Sequence, residues 1–276
     1  MSAPLILAVP DVRRIKPGYP EEYYALVDGL AESLPRALAA AGLIADEASV
    51  YAGETGVVVT VRAGGDRHIV RLAAYDGELY TSAYFYSRLA GLGVPAPVVR
   101  YFDLSHAVIP HDYQVLSYLP GVSADALPSH LRRRAGELCG AALRRIHALP
   151  VDGFGSPLPD GGWSADTWLG AVRDTYLHDG SMDHKNALFT PDEQRRIEAL
   201  THYNLRLEVA EPQLIHSDVG EGNALYTLDG ERLTLSGLID PGALAGGDPL
   251  FDLPADPTDP ASFAAGLWAG YTREAP

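Results

Sequence analysis

The residues best suited to chemistry lie in one short run, Leu214-Ile215-His216-Ser217-Asp218-Val219-Gly220-Glu221-Gly222-Asn223-Ala224-Leu225, followed by Leu238-Ile239-Asp240-Pro241-Gly242. The pattern is H-x-D-x-x-x-x-N, then an apolar strand ending in I-D-x-G. A loop carboxylate such as Asp218 can orient an attacking hydroxyl and accept its proton. The Asn223 side-chain carbonyl and the Asp240 carboxylate are hard oxygen donors, the kind that hold Mg²⁺ against a polyphosphate. Gly220 and Gly222 are expected to let the loop bend tightly, bringing Asp218 and Asn223 to one face. His216 has two readings: a part in the chemistry, or a hydrogen bond that merely holds the loop. H-x-D alone is common, but the whole ordered set is not, and it is the set that phosphoryl transfer needs.

Such residues need a scaffold, and the flanking sequence supplies one. Pro20 to Leu43 reads as helical, with a break or kink near Pro35. Val50 to Ala52, Gly56 to Val61 and His68 to Ala73 read as strands, with Gly64-Gly65 as a turn. Glu78 to Ala90 reads as a helix closed by Gly91 and Gly93. Short strands follow near Val98 to Tyr101 and Tyr113 to Tyr118. Pro120-Gly121 marks a boundary. Beyond it, Ser129 is placed to cap a helix with apolar positions Leu131, Ala135, Leu138, Ala142 and Ile146. Thr190-Pro191-Asp192-Glu193 is a capping-box pattern. Leu233 to Ile239 reads as a strand entered through the Asp229-Gly230 turn. The expected class is α+β with two lobes, a β-rich 1–119 and a mainly helical 120–276, and a ligand is expected between them.

Composition narrows the possibilities. The chain has 276 residues, 47% of them hydrophobic, which suits a packed core and excludes a disordered chain. Cys139 is the only cysteine, so no disulfide forms within the chain and a reducing, cytoplasmic setting is expected. The apolar run Leu5 to Pro10 precedes Arg13 and Arg14, the reverse of a signal peptide, and no stretch is long enough for a bilayer. A net charge of -15 argues against nucleic acid as a partner. It would favour a cationic small molecule by long-range attraction, although solubility alone accounts for it as well.

Protein kinases show the same arrangement of a catalytic-loop Asp, an Asn five residues on and a metal-binding Asp after a hairpin. More closely, the sequence resembles the aminoglycoside phosphotransferases and related small-molecule kinases. Ser217 stands where protein kinases carry arginine. Asp240-Pro241-Gly242 is followed by Gly247-Asp248-Pro249 and Asp252-Leu253. Upstream, Leu143-Arg144-Arg145-Ile146-His147-Ala148-Leu149-Pro150 precedes Gly153-Phe154-Gly155, and Leu92-Gly93-Val94-Pro95-Ala96-Pro97 is similar to the family's turn after its first-lobe helix. The resemblance runs from about Val50 to Ala255. Within the family, Tyr80 to Tyr86 and Gly153 to Gly155 are most similar to hygromycin-type enzymes.

The resemblance implies a bilobal protein-kinase-like fold, ATP (with GTP as the alternative) and Mg²⁺. It implies Asp218 as the base, and Asn223 and Asp240 as metal ligands. Gly53-Glu54-Thr55-Gly56 would be the loop over the phosphates, with Gly53, Thr55 and Gly56 facing them; an ordinary hairpin turn is an equal reading. Arg71 stands where the family has its phosphate lysine, with the same charge but a different donor geometry. Ser82 stands where a glutamate partner is expected and Glu78 lies one turn earlier, so either Glu78 substitutes or the ion pair is absent. The Ser117 carbonyl and the Leu119 amide would meet the purine. Asp248 and Asp252 read as structural. Asp256 and Asp259 read as solvated, with a grip on a cationic acceptor as the alternative. The implied activity is O-phosphorylation of a hydroxylated, cationic small molecule such as an aminoglycoside antibiotic, in resistance or self-protection. The alternatives are a kinase of a metabolic sugar, amino alcohol or nucleoside, and a nucleotide-binding pseudokinase suggested by Arg71 and Ser82.

Overall fold

The structure, a computed structural model, describes residues 7–176, 189–204, 209–254 and 258–273. It divides into two compact units. The first is Met1–Val122 with Leu225–Thr227 and Ser236–Ile239; the second is Ser123–Ala224, Leu228–Leu235 and Asp240–Pro276.

In the first unit a short helix, α1 (Val12–Ile15), precedes α2 (Glu21–Asp28) and α3 (Leu30–Ala40). The helical run breaks at Gly29, not near Pro35, which lies inside α3. Proline removes one N–H bond there, but buried Leu34, Ala37 and Leu38 anchor the helix on both sides of it. Three strands follow: β1 (Ala45–Ala52), β2 (Gly56–Ala63) and β3 (Asp66–Ala73). β1 begins five residues before the expected Val50. It is an edge strand whose Asp46, Glu47 and Ser49 are exposed, so polar residues hide it from an apolar pattern. Gly64 and Gly65 both take positive φ, 59° and 89°, as a two-residue hairpin between β2 and β3 requires.

After α4 (Glu78–Leu89) come β4 (Val99–Asp103) and β5 (Tyr113–Ser117), completing an antiparallel sheet of order β1-β2-β3-β5-β4. Alternation gives this sheet two unlike faces. Val57, Val59, Val61, Val70, Leu72 and Val115 pack with Tyr23, Leu26, Leu30 and Leu34 from α2 and α3. Arg71 points to the opposite face, and its cross-strand neighbour is Gln114. Gln114 Nε2 donates to Ser82 Oγ of α4 at 2.9 Å, so α4 covers that second face.

The second unit holds α5 (Ser129–Ile146), which follows the two-residue β6 (Val122–Ser123). Ser129 is the first helical residue and not the cap; Pro128 takes the cap position and offers no side-chain acceptor. Beyond α5 lie β7 (Phe154–Pro157), β8 (Trp163–Ala165), α6 (Trp168–Tyr176), α7 (Pro191–Asn204) and β9 (Gln213–Leu214). The expected capping box begins α7: Thr190 N donates to Glu193 Oε2 at 2.8 Å and Glu193 N to Thr190 Oγ1 at 3.4 Å. β10 (Ala224–Asp229) and β11 (Arg232–Leu238) form a hairpin through Gly230, and β12 (Gly246–Gly247) and α8 (Phe263–Thr272) complete the order.

Helix α8 lies against α5 at close range because four glycines face one another. A methyl group on Gly136 or Gly140 would stand 2.0 Å from the Phe263 or Leu267 carbonyl oxygen. One on Gly266 or Gly270 would come as close to the carbonyls of Arg133 and Glu137, at 1.9 and 2.0 Å. Cys139 is buried on α5. Among the described residues, no helix is long and apolar enough to cross a membrane.

Candidate active site

The H-x-D loop is held from below by one buried carboxylate. Asp252 Oδ2 accepts the His216 N–H at 2.7 Å and Asp252 Oδ1 accepts the Ser217 N–H at 2.6 Å. The same Oδ2 accepts from His147 Nε2 at 2.9 Å, and Tyr271 OH lies 3.0 Å from His147 Nδ1. Burial pushes the Tyr271 phenol up, which keeps it a donor. A carboxylate only accepts, so His147 donates its Nε2–H to Asp252, and its Nδ1 meets the Tyr271 hydroxyl. The α5–α8 packing is what brings Tyr271 to His147.

The buried His216 N–H, the half-buried Ser217 N–H and the buried His147 Nε2 depend on Asp252, so its removal takes a partner from all three. Asp252→Ala is expected to lower stability by about 3–5 kcal/mol, the cost of removing one partner from a buried, hydrogen-bonded pair. Urea denaturation measures this, and a loss below about 1 kcal/mol would mean that the loop does not need its anchor.

His216 itself is fully buried, at 0% exposure. Of its two readings, burial and the backbone bond to Asp252 favour the loop-holding one. Ser217 takes φ +59° and Asp240 φ +54°, conformations that L residues other than Asn and Asp rarely adopt. The loop bends at Gly220 and turns through Gly222 as expected, but without a left-handed glycine. Gly220 is extended at φ -159°, Gly222 is not in the left-handed region, and a 3₁₀ turn over Glu221–Asn223 shapes the loop. A 3₁₀ turn needs no glycine conformation.

That turn brings Asn223 back onto Asp218: its Nδ2 donates to the Asp218 carbonyl at 2.8 Å and to Asp218 Oδ2 at 2.9 Å. The amide nitrogen is thereby committed, and Oδ1 is the atom left for a cation. The Asp240 loop is tied to the same structure. Gly242 N donates to the His216 carbonyl at 2.8 Å, and Leu244 N donates to Ser217 Oγ at 3.1 Å. A methyl group on Gly242 would meet that Oγ at 2.5 Å, so the close contact needs glycine. Asn223 immediately precedes β10 and Asp240 follows β11, so one hairpin delivers both. Asp218 and Asp240 are exposed. An amide oxygen and carboxylates make a hard donor set that fits Mg²⁺ and would suit a soft metal poorly.

Most of the remaining candidates lie in the first unit. Gly53-Glu54-Thr55-Gly56 is the β1–β2 turn, closed by Gly53 N to the Gly56 carbonyl at 2.9 Å. Thr55 Oγ1 donates to Glu78 Oε1 at 2.5 Å, joining the turn to the first turn of α4. Ser82 is buried and bonded to Gln114, so that position serves the packing of α4 on the sheet. Ser117 ends β5; its N–H donates to Val98 O at 2.9 Å and its Oγ accepts from Val98 N at 2.9 Å. Leu119 packs over Gly237 of β11, where a methyl group would meet its Cδ1 at 2.4 Å. Asp248 caps the 3₁₀ turn Pro249–Asp252 through Leu250 N at 2.9 Å. Asp259 is exposed and accepts from Ala261 N, and Asp256 lies outside the described residues.

What sequence reasoning did not find is the Tyr271–His147–Asp252 chain. His147 and Asp252 both stand in runs that carry the resemblance, but they are 105 residues apart and no pattern links them.

The sequence model of a family described as the phosphotransferase enzyme family matches residues 49–275. Among solved structures, a thermostable mutant of aminoglycoside phosphotransferase APH(4)-Ia, in a ternary complex with AMP-PNP and hygromycin B, is 21% identical with a TM-score of 0.58, over 76% of this chain and 71% of that one. Aminoglycoside-3′-phosphotransferase of type VIII is 20% identical with a TM-score of 0.57, over 91% and 92% of the two chains. ADP-bound aminoglycoside phosphotransferase APH(2″)-Ib is 19% identical with a TM-score of 0.56, over 88% and 82%. No curated protein matches the sequence. The structural likeness establishes the protein-kinase-like fold.

Proposed function

Because this chain belongs to the phosphotransferase enzyme family, we propose that it transfers the terminal phosphoryl group of ATP to a hydroxyl of a cationic, aminoglycoside-type small molecule, with Mg²⁺ as cofactor. The observation that carries this reading is the Asp218–Asn223 pair. One residue holds the other through two hydrogen bonds, in a loop braced against the Asp240 segment.

In this reading the Asp218 carboxylate accepts a hydrogen bond from the acceptor hydroxyl. It takes that proton as the oxygen bonds to phosphorus and ADP departs. Asn223 Nδ2 keeps the carboxylate in place for this. Asn223 Oδ1 and the Asp240 carboxylate would hold Mg²⁺, which when bound neutralises charge on the nucleotide's phosphate oxygens. Arg71 and the backbone of the Gly53–Gly56 turn would face the phosphates, with Glu78 bonded to Thr55 beside them. The Ser117 carbonyl and Leu119 N–H would receive the purine. His216 and Asp252 act on the site only through the backbone they hold.

The acceptor reading draws on the relative that binds hygromycin B and on the net charge of -15. ATP consumption across aminoglycosides, other hydroxylated antibiotics, sugars, amino alcohols and nucleosides tests it, with GTP as the comparison donor. Turnover of aminoglycosides is expected. Turnover confined to a neutral sugar or nucleoside would favour metabolic kinase activity, and no ATP turnover with any acceptor would favour a pseudokinase. Salt offers a second check. Charge attraction is screened over about 8 Å near physiological ionic strength, so the acceptor's KM should rise with salt while that for MgATP changes less. Equal salt responses would remove the electrostatic part of the argument.

A further inference from the structure

We propose that residues 16–24, which lie outside the matched family region, form a clamp that positions the β1–β2 turn and thereby sets nucleotide affinity, with Lys16 and Tyr19 as positioning residues. The inference rests on the reading of Gly53–Gly56 as the phosphate loop.

Three side chains of this segment converge on the turn. Tyr23 is wholly buried between α2 and the sheet, and its hydroxyl donates to the Gly53 carbonyl at 2.8 Å. Tyr19 OH donates to Glu54 Oε2 at 2.6 Å, and Lys16 Nζ reaches Glu54 Oε1 at 3.2 Å. Lys16 also donates to Tyr19 OH at 3.1 Å and lies 4.6 Å from the centre of its ring. The segment is itself fixed: Tyr24 OH donates to the Lys16 carbonyl at 2.7 Å and accepts from Tyr19 N at 3.0 Å. Tyr19 and Tyr23 meet edge to face with ring centres 5.0 Å apart.

The chemistry of the turn explains why a clamp matters. Glu54 is its only charged residue, and a free carboxylate beside a triphosphate site repels the ligand. The Tyr19 hydroxyl, and after it Lys16, hold the Glu54 carboxyl below its ordinary range, which shows the charge engaged on the side of the N-terminal segment. On the other side, Thr55 is bonded to Glu78. The turn is thus fixed on both flanks before any nucleotide arrives, which lowers the ordering cost of binding. A lone exposed ion pair contributes little, so Lys16–Glu54 by itself would not carry this. The hydroxyl bonds of Tyr19 and Tyr23 do.

The probe is a fluorescent N-methylanthraniloyl-ATP with Mg²⁺, titrated into the full chain. Tyr19→Phe is expected to raise its Kd about three- to tenfold, the worth of one hydrogen bond to a charged group, and Lys16→Ala to raise it by a smaller factor. Lys16→Arg should restore affinity, and thermal unfolding midpoints should stay close to wild type in all three. Amide hydrogen exchange with and without Mg-AMP-PNP separates the two levels of the argument. Wild-type residues 53–56 should exchange more slowly when nucleotide is bound. Protection of the turn with unchanged Kd in Lys16→Ala and Tyr19→Phe overturns the clamp. An unprotected turn overturns the phosphate-loop reading, and the clamp with it.

Discussion

Asp218→Ala is expected to lower turnover by about 10²–10⁴ while nucleotide binding survives. Its carboxylate is exposed, lies on the catalytic-type loop and is oriented by Asn223 Nδ2 at 2.9 Å. Among the described residues its side chain makes only an exposed bond, to the Asn223 amide, so stability should change by no more than about 0.5 kcal/mol. Steady-state turnover of whichever acceptor the screen identifies, together with calorimetric titration of Mg-AMP-PNP, separates chemistry from binding. Asp218→Asn keeps the shape and the contact with Asn223 but cannot take a proton, so it should lose nearly as much. Near wild-type turnover in either variant would remove Asp218 from the base role. If nucleotide affinity fell in parallel, Asp218 would be a binding residue.

Asp240→Ala is expected to abolish Mg²⁺-dependent nucleotide binding, and Asn223→Ala to weaken it. The two residues flank one hairpin and supply oxygen donors next to a loop already fixed by Asp252. Asp240 sits at φ +54°, where alanine costs roughly 1 kcal/mol that aspartate and asparagine largely escape. Asp240→Asn is therefore the cleaner variant, since it tolerates the backbone and keeps one oxygen while losing the charge. Its Mg²⁺ dependence should fall between wild type and Asp240→Ala. Calorimetry of ATP binding with and without Mg²⁺ reads all three, and an undiminished Mg²⁺ dependence in Asp240→Ala would sink this assignment of the metal site.

The sequence alone determined what depends on near neighbours. Alternating Val57, Val59 and Val61 in β2, and Val70 and Leu72 in β3, prescribe a sheet with one apolar face, and Gly64-Gly65 prescribes the turn between them. Thr190 and Glu193 prescribe the start of α7. The order of Asp218, Asn223 and Asp240 puts two carboxylates and an amide oxygen, all hard donors, at fixed places around one loop and one hairpin. Each of these signals acts over a few residues, where periodicity and backbone preference dominate.

Tertiary structure decided the rest. Whether Ser217 or Gly220 takes the left-handed turn depends on Asp252 holding two N–H groups from 35 and 36 residues away. Whether Ser82 could stand for a missing acid depends on Gln114, 32 residues on, claiming its hydroxyl. The break at Gly29, with Pro35 left inside a helix, follows from the packing of α3 on the sheet. What Glu54 bonds to depends on Lys16 and Tyr19, 38 and 35 residues earlier. In each case the deciding hydrogen bond or packed contact joins residues far apart in sequence. Local propensities cannot encode such a contact, because it exists only once the intervening chain has folded and its entropy has been lost.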